Sequence, residues 1–125
     1  MLPGVQSQLI VTLNATSLKE QCGVLAGKRN ENEFCIEHFM PVRNYARSNH
    51  SFIIHEKEIE TAMESVKKDN VFCGIFHTHY SDIRLSFADR LNVLVTMHLW
   101  LIGLKGTRRI CSYLNINGKI KKLII

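Results

Sequence analysis

Two histidines, one residue apart, have the clearest potential for chemistry in this sequence. His77 and His79 end the apolar run VFCGIFHTH (71–79), and Asp89 follows ten positions later. In a β-strand, such side chains point to the same face, about 6.6 Å apart along the chain. Their ring nitrogens can therefore converge on one metal ion at about 2.0–2.1 Å. A lone H-x-H pattern also occurs by chance in ordinary strands, so it does not define a metal site by itself.

Asp89 is a candidate for two different roles. The spacing Ser86-x-x-Asp89 is close to a capping box, in which the serine caps a helix and the acid reaches back to the cap residue. Asp89 could instead be the third metal ligand. We expect these roles to compete for Asp89, since a carboxylate bound to metal should be a weaker cap. Taken alone, the spacing favours the cap.

The surrounding pattern predicts the elements that position these residues. We expect a helix over 5–18, followed by the strands CGVLAGK and EFCIEHFMPV with the polar turn RNENE between them. SFIIH is predicted as a short strand. In EKEIETAMESVKKDN, apolar residues recur at i, i+3, i+4 and i+7, with acids at the start and lysines at the end, which is typical of a helix.

The second half of the chain is predicted to contain mostly strands. VFCGIFHTH and HLWLIGL should be buried strands, separated by a short helix that begins at Ser86. RICSYLNI and KIKKLII should form a hairpin around Asn117-Gly118, because Asn-Gly is the strongest short hairpin signal. The predicted order is α-β-β-β-α-β-α-β-β-β. This order indicates an α/β fold with a mixed sheet and packed helices, rather than a doubly wound Rossmann fold.

Composition limits the class of protein. A chain of 125 residues with 46% hydrophobic residues is predicted to be one globular domain, 1–125. No apolar run approaches the roughly 18 residues of a membrane span, and the N-terminal segment does not resemble a signal peptide. We therefore expect a cytoplasmic protein that does not enter membranes.

Charge and cysteines leave alternatives open. The net charge of +5 is concentrated in KGTRR and KIKK. This basic character could serve nucleic-acid binding, protected edge strands or an acidic protein partner. The four cysteines form no C-x-x-C pair, so buried free thiols are expected. A contact between Cys73 and Cys111 on neighbouring strands is an open alternative.

Together, the motifs resemble those of a known family. EQCGVLAGK (20–28), followed by His77-Thr78-His79 and then Ser86-x-x-Asp89, is similar to the JAMM (JAB/MPN+) zinc metalloproteases, in particular to their small prokaryotic members. The similarity extends to PVRNYARSNHSFIIHEKEIETAM and YLNINGKIKKLI, and so covers nearly the whole chain. It implies the JAB/MPN sandwich, which is like that of cytidine deaminases.

The resemblance also implies the site chemistry. His77, His79 and Asp89 would bind one Zn²⁺ per chain, with water in the fourth position. Glu20 would act as general base, and Ser86 would donate a hydrogen bond to the oxyanion.

The activity implied is an isopeptidase or peptidase that cuts after a diglycine C-terminus of a ubiquitin-like or sulfur-carrier protein. Nucleic acid is not an expected partner. One alternative is a non-catalytic MPN scaffold that only binds proteins. Another is a non-haem iron enzyme, which would use the same two histidines and carboxylate. A zinc nucleoside deaminase is excluded, since H-x-E and P-C-x-x-C are both missing.

Two departures from the family pattern affect the site. Six residues separate His79 from Ser86, where the family usually has seven, and Tyr80 replaces a common proline. The shorter loop could displace Ser86 or Asp89 from the ion. Asp82 is a less favoured substitute ligand.

Overall fold

The computed structural model describes residues 1–14, 20–46, 52, 54–80, 83–96 and 98–123. Its elements, in chain order, are α1 (Pro3–Leu13), β1 (Cys22–Asn30), β2 (Glu33–Val42), α2 (Glu56–Glu64), β3 (Val71–His79), α3 (Phe87–Val95), β4 (Leu99–Leu104), β5 (Ile110–Ile116) and β6 (Lys119–Leu123). The strands form one sheet in the order β2-β1-β3-β4-β5-β6. β3 and β4 are parallel, whereas the other neighbours are antiparallel. The predicted α/β fold with a mixed sheet is confirmed.

The helices cover both faces of the sheet. Apolar side chains of α1 pack on one face, in a core that includes Phe76 of β3. Ala62 of α2 and Val93 of α3 pack on the opposite face, in a core that includes Ile75. Successive strand residues alternate between faces, so His77 and His79 share the face of Ile75. The two histidines therefore lie on the side covered by α2 and α3.

Helix α1 is shorter than the sequence predicted. It begins at Pro3, where a missing N–H costs nothing in the first turn, and it ends at Leu13. The Asn14 side chain donates to the carbonyl of Ile10 at 2.8 Å, which ends the helix. The predicted extension was wrong at Asn14, and positions 15–18 lie outside the described residues.

The segment between β2 and α2 also differs from its prediction. SFIIH was predicted to be a strand, but the three of its residues that are described, Phe52, Ile54 and His55, are not in one. Phe52 and Ile54 instead pack into the core beneath α2 and α3. An apolar loop that fills a core has the same composition as a short strand, which explains the error. Over the described residues, the observed order therefore has one strand fewer than predicted.

Helix α2 confirms one part of its charge pattern and contradicts another. Glu56 and Glu58 occupy its first turn, where the helix dipole favours negative charge. The helix ends at Glu64, and the Ser65 hydroxyl donates to the Ala62 carbonyl at 2.6 Å. The lysines at 67 and 68 therefore lie beyond the last turn and do not interact with the dipole as predicted.

The hairpin between β5 and β6 is confirmed. Asn117 and Gly118 have φ values of 54° and 81°, the pair of positive angles that a type I′ turn requires. The alternative that Cys73 and Cys111 make contact on neighbouring strands is wrong. β4 separates β3, which carries Cys73, from β5, which carries Cys111, and both thiols are free.

None of the helices in the described part of the chain has the length and apolar character that crossing a membrane requires.

Candidate metal centre

The pairing of β1 with β3 brings Glu20 to the histidines. Cys22 lies opposite His77 in this antiparallel ladder. Continuing the same register by two residues sets Glu20 opposite His79. Residues that are far apart in sequence therefore meet at one end of two central strands.

Hydrogen bonds on both sides hold the backbone of Glu20. The Thr78 amide donates to the Gln21 carbonyl at 2.9 Å, and the Gln21 amide donates to the Thr78 hydroxyl at 2.9 Å. The Asn44 side chain donates to the Glu20 carbonyl at 2.6 Å. This carboxylate is therefore attached to a fixed stretch of backbone.

Two imidazoles and a carboxylate converge at this point. The Nε2 atoms of His77 and His79 are 3.1 Å apart. Asp89 Oδ1 lies 3.3 Å from His77 Nε2, and Asp89 Oδ2 lies 3.0 Å from His79 Nε2. Ligands at about 2.0–2.1 Å from one tetrahedral ion are about 3.3 Å from each other. All three separations therefore match those between two ligands of one tetrahedral ion.

Glu20 belongs to the same cluster. The ligand atoms of Glu20, His77 and His79 all lie within 4.8 Å of one another, close enough to hold a metal ion. The cluster could thus bind a metal through either carboxylate. The Asp89 oxygens lie 3.0–3.3 Å from the imidazole Nε2 atoms, whereas the limit for the Glu20 oxygen is 4.8 Å.

Asp89 serves as a helix cap and faces the imidazoles at the same time. The Asp89 amide donates to Ser86 Oγ, and the Ser86 amide donates to Asp89 Oδ2, both at 3.1 Å. The cap and the approach to both imidazoles coexist, because an ionised carboxylate has about four acceptor positions on two oxygens. The expected weakening of the cap by a bound metal stays a prediction. The six-residue loop also leaves Asp89 beside His77 and His79. Asp82 lies outside the described residues.

Aromatic packing fixes the orientation of His77. Its side chain is fully buried, and the ring of Phe52 stacks on it with centroids 4.2 Å apart and planes 27° apart. The Phe52 ring also contacts Trp100, with centroids 6.3 Å apart. His77 Nδ1 has no hydrogen-bond partner among the described residues. Ring packing therefore holds this imidazole in place of the hydrogen bond that usually orients a metal-binding histidine.

Burial and proximity shift the pKa values of the cluster. Burial raises the pKa of Glu20 to about 7, although His79 opposes the shift and Asp89 adds to it. Burial lowers the pKa of His77 despite its hydrogen bond with Asp89. Burial alone would raise the pKa of Asp89, but hydrogen bonds with His77 and His79 lower it overall. His77 is thus neutral and Asp89 ionised at pH 7, the states in which both side chains bind metals.

A cleft of about 920 Å³ opens over the cluster. The sequence-predicted residues that line it are Glu20, His79, Ser86 and Asp89. The sequence did not predict the other lining residues, Phe52, Tyr80, Arg84, Leu85, Ala88, Arg90, Asn92, Tyr113, Ile120 and Lys122. Tyr113 donates to the Ile83 carbonyl at 3.0 Å and so anchors the chain ahead of α3. No local pattern identifies these residues, because the fold assembles them from separate elements.

Fold and site thus define an α/β protein with a candidate metal centre at one end of its central strands. No family model matches the chain, and no curated protein matches it. A solved structure with a similar fold is the solution structure of protein DSY2949 from Desulfitobacterium hafniense, a structural-genomics target. The TM-score is 0.80 at 22% sequence identity, over 97% of this chain and 86% of that chain. This similarity supports the fold.

Proposed function

We propose that this chain is a zinc-dependent hydrolase of the JAMM type. It would cut the bond after the diglycine C-terminus of a ubiquitin-like or sulfur-carrier protein. The observation that carries the proposal is the convergence of His77, His79 and Asp89 within 3.3 Å. Glu20 and Ser86 line the cleft over the same point.

The donor set is suited to zinc. Imidazole nitrogen is a borderline-soft donor and carboxylate oxygen is a hard donor, and Zn²⁺ accepts both. Three protein ligands are typical of catalytic rather than structural zinc sites. When bound, the ion polarises a carbonyl and lowers the pKa of water to about 7. His77, His79 and Asp89 would hold it.

Glu20 would act as the general base. Its carboxylate lies within 4.8 Å of the histidine nitrogens, on backbone held by Asn44. In this position it can accept a proton from the attacking water and deliver it to the leaving amine. Burial raises its pKa to about 7, and a nearby cation would lower that pKa and favour the ionised, proton-accepting form.

Ser86 would stabilise the oxyanion. Its oxygen accepts a hydrogen bond from the Asp89 amide. A hydroxyl that accepts one bond still has its own proton to donate. Since Ser86 lines the cleft, that proton can be directed at the negative charge that develops on a substrate carbonyl.

The cleft also suits an extended tail. Ile120 and Lys122 of β6 line it, and β6 is an edge strand of the sheet. An extended peptide can add to such an edge through main-chain hydrogen bonds. Two glycines next to the cleaved bond would bring the substrate backbone close to the cluster, since they carry no side chains.

The test is hydrolysis by Glu20→Gln. The substrate is a ubiquitin-like carrier whose C-terminal Gly-Gly is joined to a lysine in a reporter peptide. The wild type, loaded with zinc, should cleave it. Glu20→Gln should keep zinc and fold but lose about 10²–10⁴-fold in rate, since the amide cannot accept the proton. Glu60→Gln, an exposed change on α2, is the matched control and should cleave normally.

Three results would contradict the proposal in different ways. Wild-type turnover by Glu20→Gln would remove the assigned base. A zinc-loaded wild type that binds the tail but never cuts it would favour the scaffold. Turnover that needs Fe(II) and oxygen would favour the non-haem iron enzyme.

A further inference from the structure

The outer face of α3 carries an apolar stripe that is exposed among the described residues. Its four side chains are 43–78% exposed: Phe87, Leu91, Leu94 and Val95. At about 100° per residue, they fall within an arc of about 100°. The buried residues of the same helix, Asp89 and Val93, point in the opposite direction. The stripe is therefore not the face that attaches α3 to the sheet.

The stripe borders the candidate metal centre. α3 follows its cap residue Ser86 directly, and Ala88 and Asn92 on one flank of the helix line the cleft. On the helical wheel, Ala88 lies about 20° from Val95, a member of the stripe. A protein resting on the stripe would thus have its terminus within reach of the cleft.

The charge around the stripe indicates what kind of partner fits. On the helical wheel, Arg90 of α3 lies about 40° from Leu94 and so borders the stripe. Arg84, Arg90 and Lys122 line the cleft beside it, where the acidic residues, Glu20 and Asp89, are buried. A second copy of the chain would bring like charges together, whereas a partner with carboxylates would be attracted. Four apolar side chains on one face of a helix are better suited to binding a protein surface than to binding the phosphate backbone of a nucleic acid.

We infer that the α3 stripe is a docking surface for the folded body of the substrate. That partner is a protein with an apolar patch bordered by acidic side chains, and its diglycine tail enters the cleft. The inference rests on the proposed function and extends it from the tail to the rest of the substrate.

The test compares binding of the whole carrier with binding of its tail. The probes are a labelled ubiquitin-like carrier ending in Gly-Gly and a peptide of its tail, with Kd measured by fluorescence anisotropy. Leu91→Ser combined with Val95→Ser should weaken carrier binding about tenfold or more, the effect of losing central interface residues. Binding of the tail peptide should not change. Val11→Ser is the matched control, because Val11 is 70% exposed on α1, across the sheet.

The outcomes separate this inference from the proposed function. Unchanged carrier binding in the double variant, or equal weakening for carrier and tail, would overturn the docking surface even if hydrolysis occurs. Carrier binding that depends on the stripe without any cleavage would leave the docking surface standing and refute the hydrolase. A wild type that does not bind the carrier would overturn the inference.

Other occupants of the stripe are tested with the same variant. Light scattering would reveal a dimer, and sedimentation or anisotropy would reveal binding to anionic phospholipid vesicles or to a short DNA duplex. If the double variant loses one of these interactions while carrier binding persists, the stripe belongs to that occupant and the inference is wrong.

Discussion

Replacing Ser86 with alanine removes one atom that has two assigned roles. Ser86 Oγ accepts the Asp89 amide at 3.1 Å and, in the proposed mechanism, donates to the oxyanion. The backbone bond from the Ser86 amide to Asp89 Oδ2 survives the change, so Asp89 should stay beside the histidines. Zinc content should therefore remain that of the wild type.

The two roles predict effects of different size. Loss of the cap should cost about 1 kcal/mol, which lowers Tm by about 4 °C for a chain of this length. Loss of an oxyanion donor should lower kcat by about 10²–10³-fold. A cost of about 1 kcal/mol leaves a domain of ordinary stability folded at 25 °C, so the drop in kcat cannot come from unfolding.

Thermal melts and steady-state hydrolysis of the diglycine conjugate measure the two effects separately. Ser86→Thr keeps a hydroxyl and should retain both cap and turnover in large part. Ser65→Ala removes a hydroxyl bond at the end of α2, and should change stability without changing kcat. If Ser86→Ala lowers Tm but leaves turnover intact, Ser86 is only a cap and the oxyanion assignment is wrong.

Two further predictions concern a partly buried ring, Phe52, and a buried thiol, Cys73. Phe52→Leu should weaken metal affinity about tenfold or more in a competition titration, because the Phe52 ring supports the orientation of His77. Phe72→Leu, in the same core, is the control and should not weaken it. Equal losses of affinity in both variants would argue against a specific role for Phe52. Burial raises the pKa of the Cys73 thiol to about 11, so at pH 8 Cys73 should react with a thiol reagent only after unfolding. The exposed Cys35 should react at once, and the opposite order would contradict the burial of Cys73.

Local patterns were sufficient to predict most of the sheet. VFCGIFHTH coincides with β3, because a glycine and β-prone residues in an unbroken apolar run leave few other structures available. Asn117-Gly118 fixed the last hairpin through backbone angles that few residue pairs adopt. The strand prediction for SFIIH was wrong, because composition does not distinguish a strand from a loop that inserts Phe52 and Ile54 into a core.

The site was predictable only in part. The spacing of His77 and His79 predicts a shared face from strand geometry alone. The approach of Glu20 depends on the register between β1 and β3, which is a long-range property, and only the family resemblance suggested it. Asp89 caps α3 and faces both imidazoles because its two oxygens point in different directions, and spacing does not contain that information.

Metal analysis of protein purified without added metal would show whether His77, His79 and Asp89 form a zinc site. The site should contain about one zinc per chain, lost in His77→Ala, His79→Ala and Asp89→Ala, and retained in Glu20→Gln. Glu20→Gln and Asp89→Ala each remove one carboxylate from the same cleft. Comparing their zinc contents therefore identifies which carboxylate is a ligand. Protein without stoichiometric zinc would contradict the account. So would zinc that survives Asp89→Ala but is lost in Asp82→Ala.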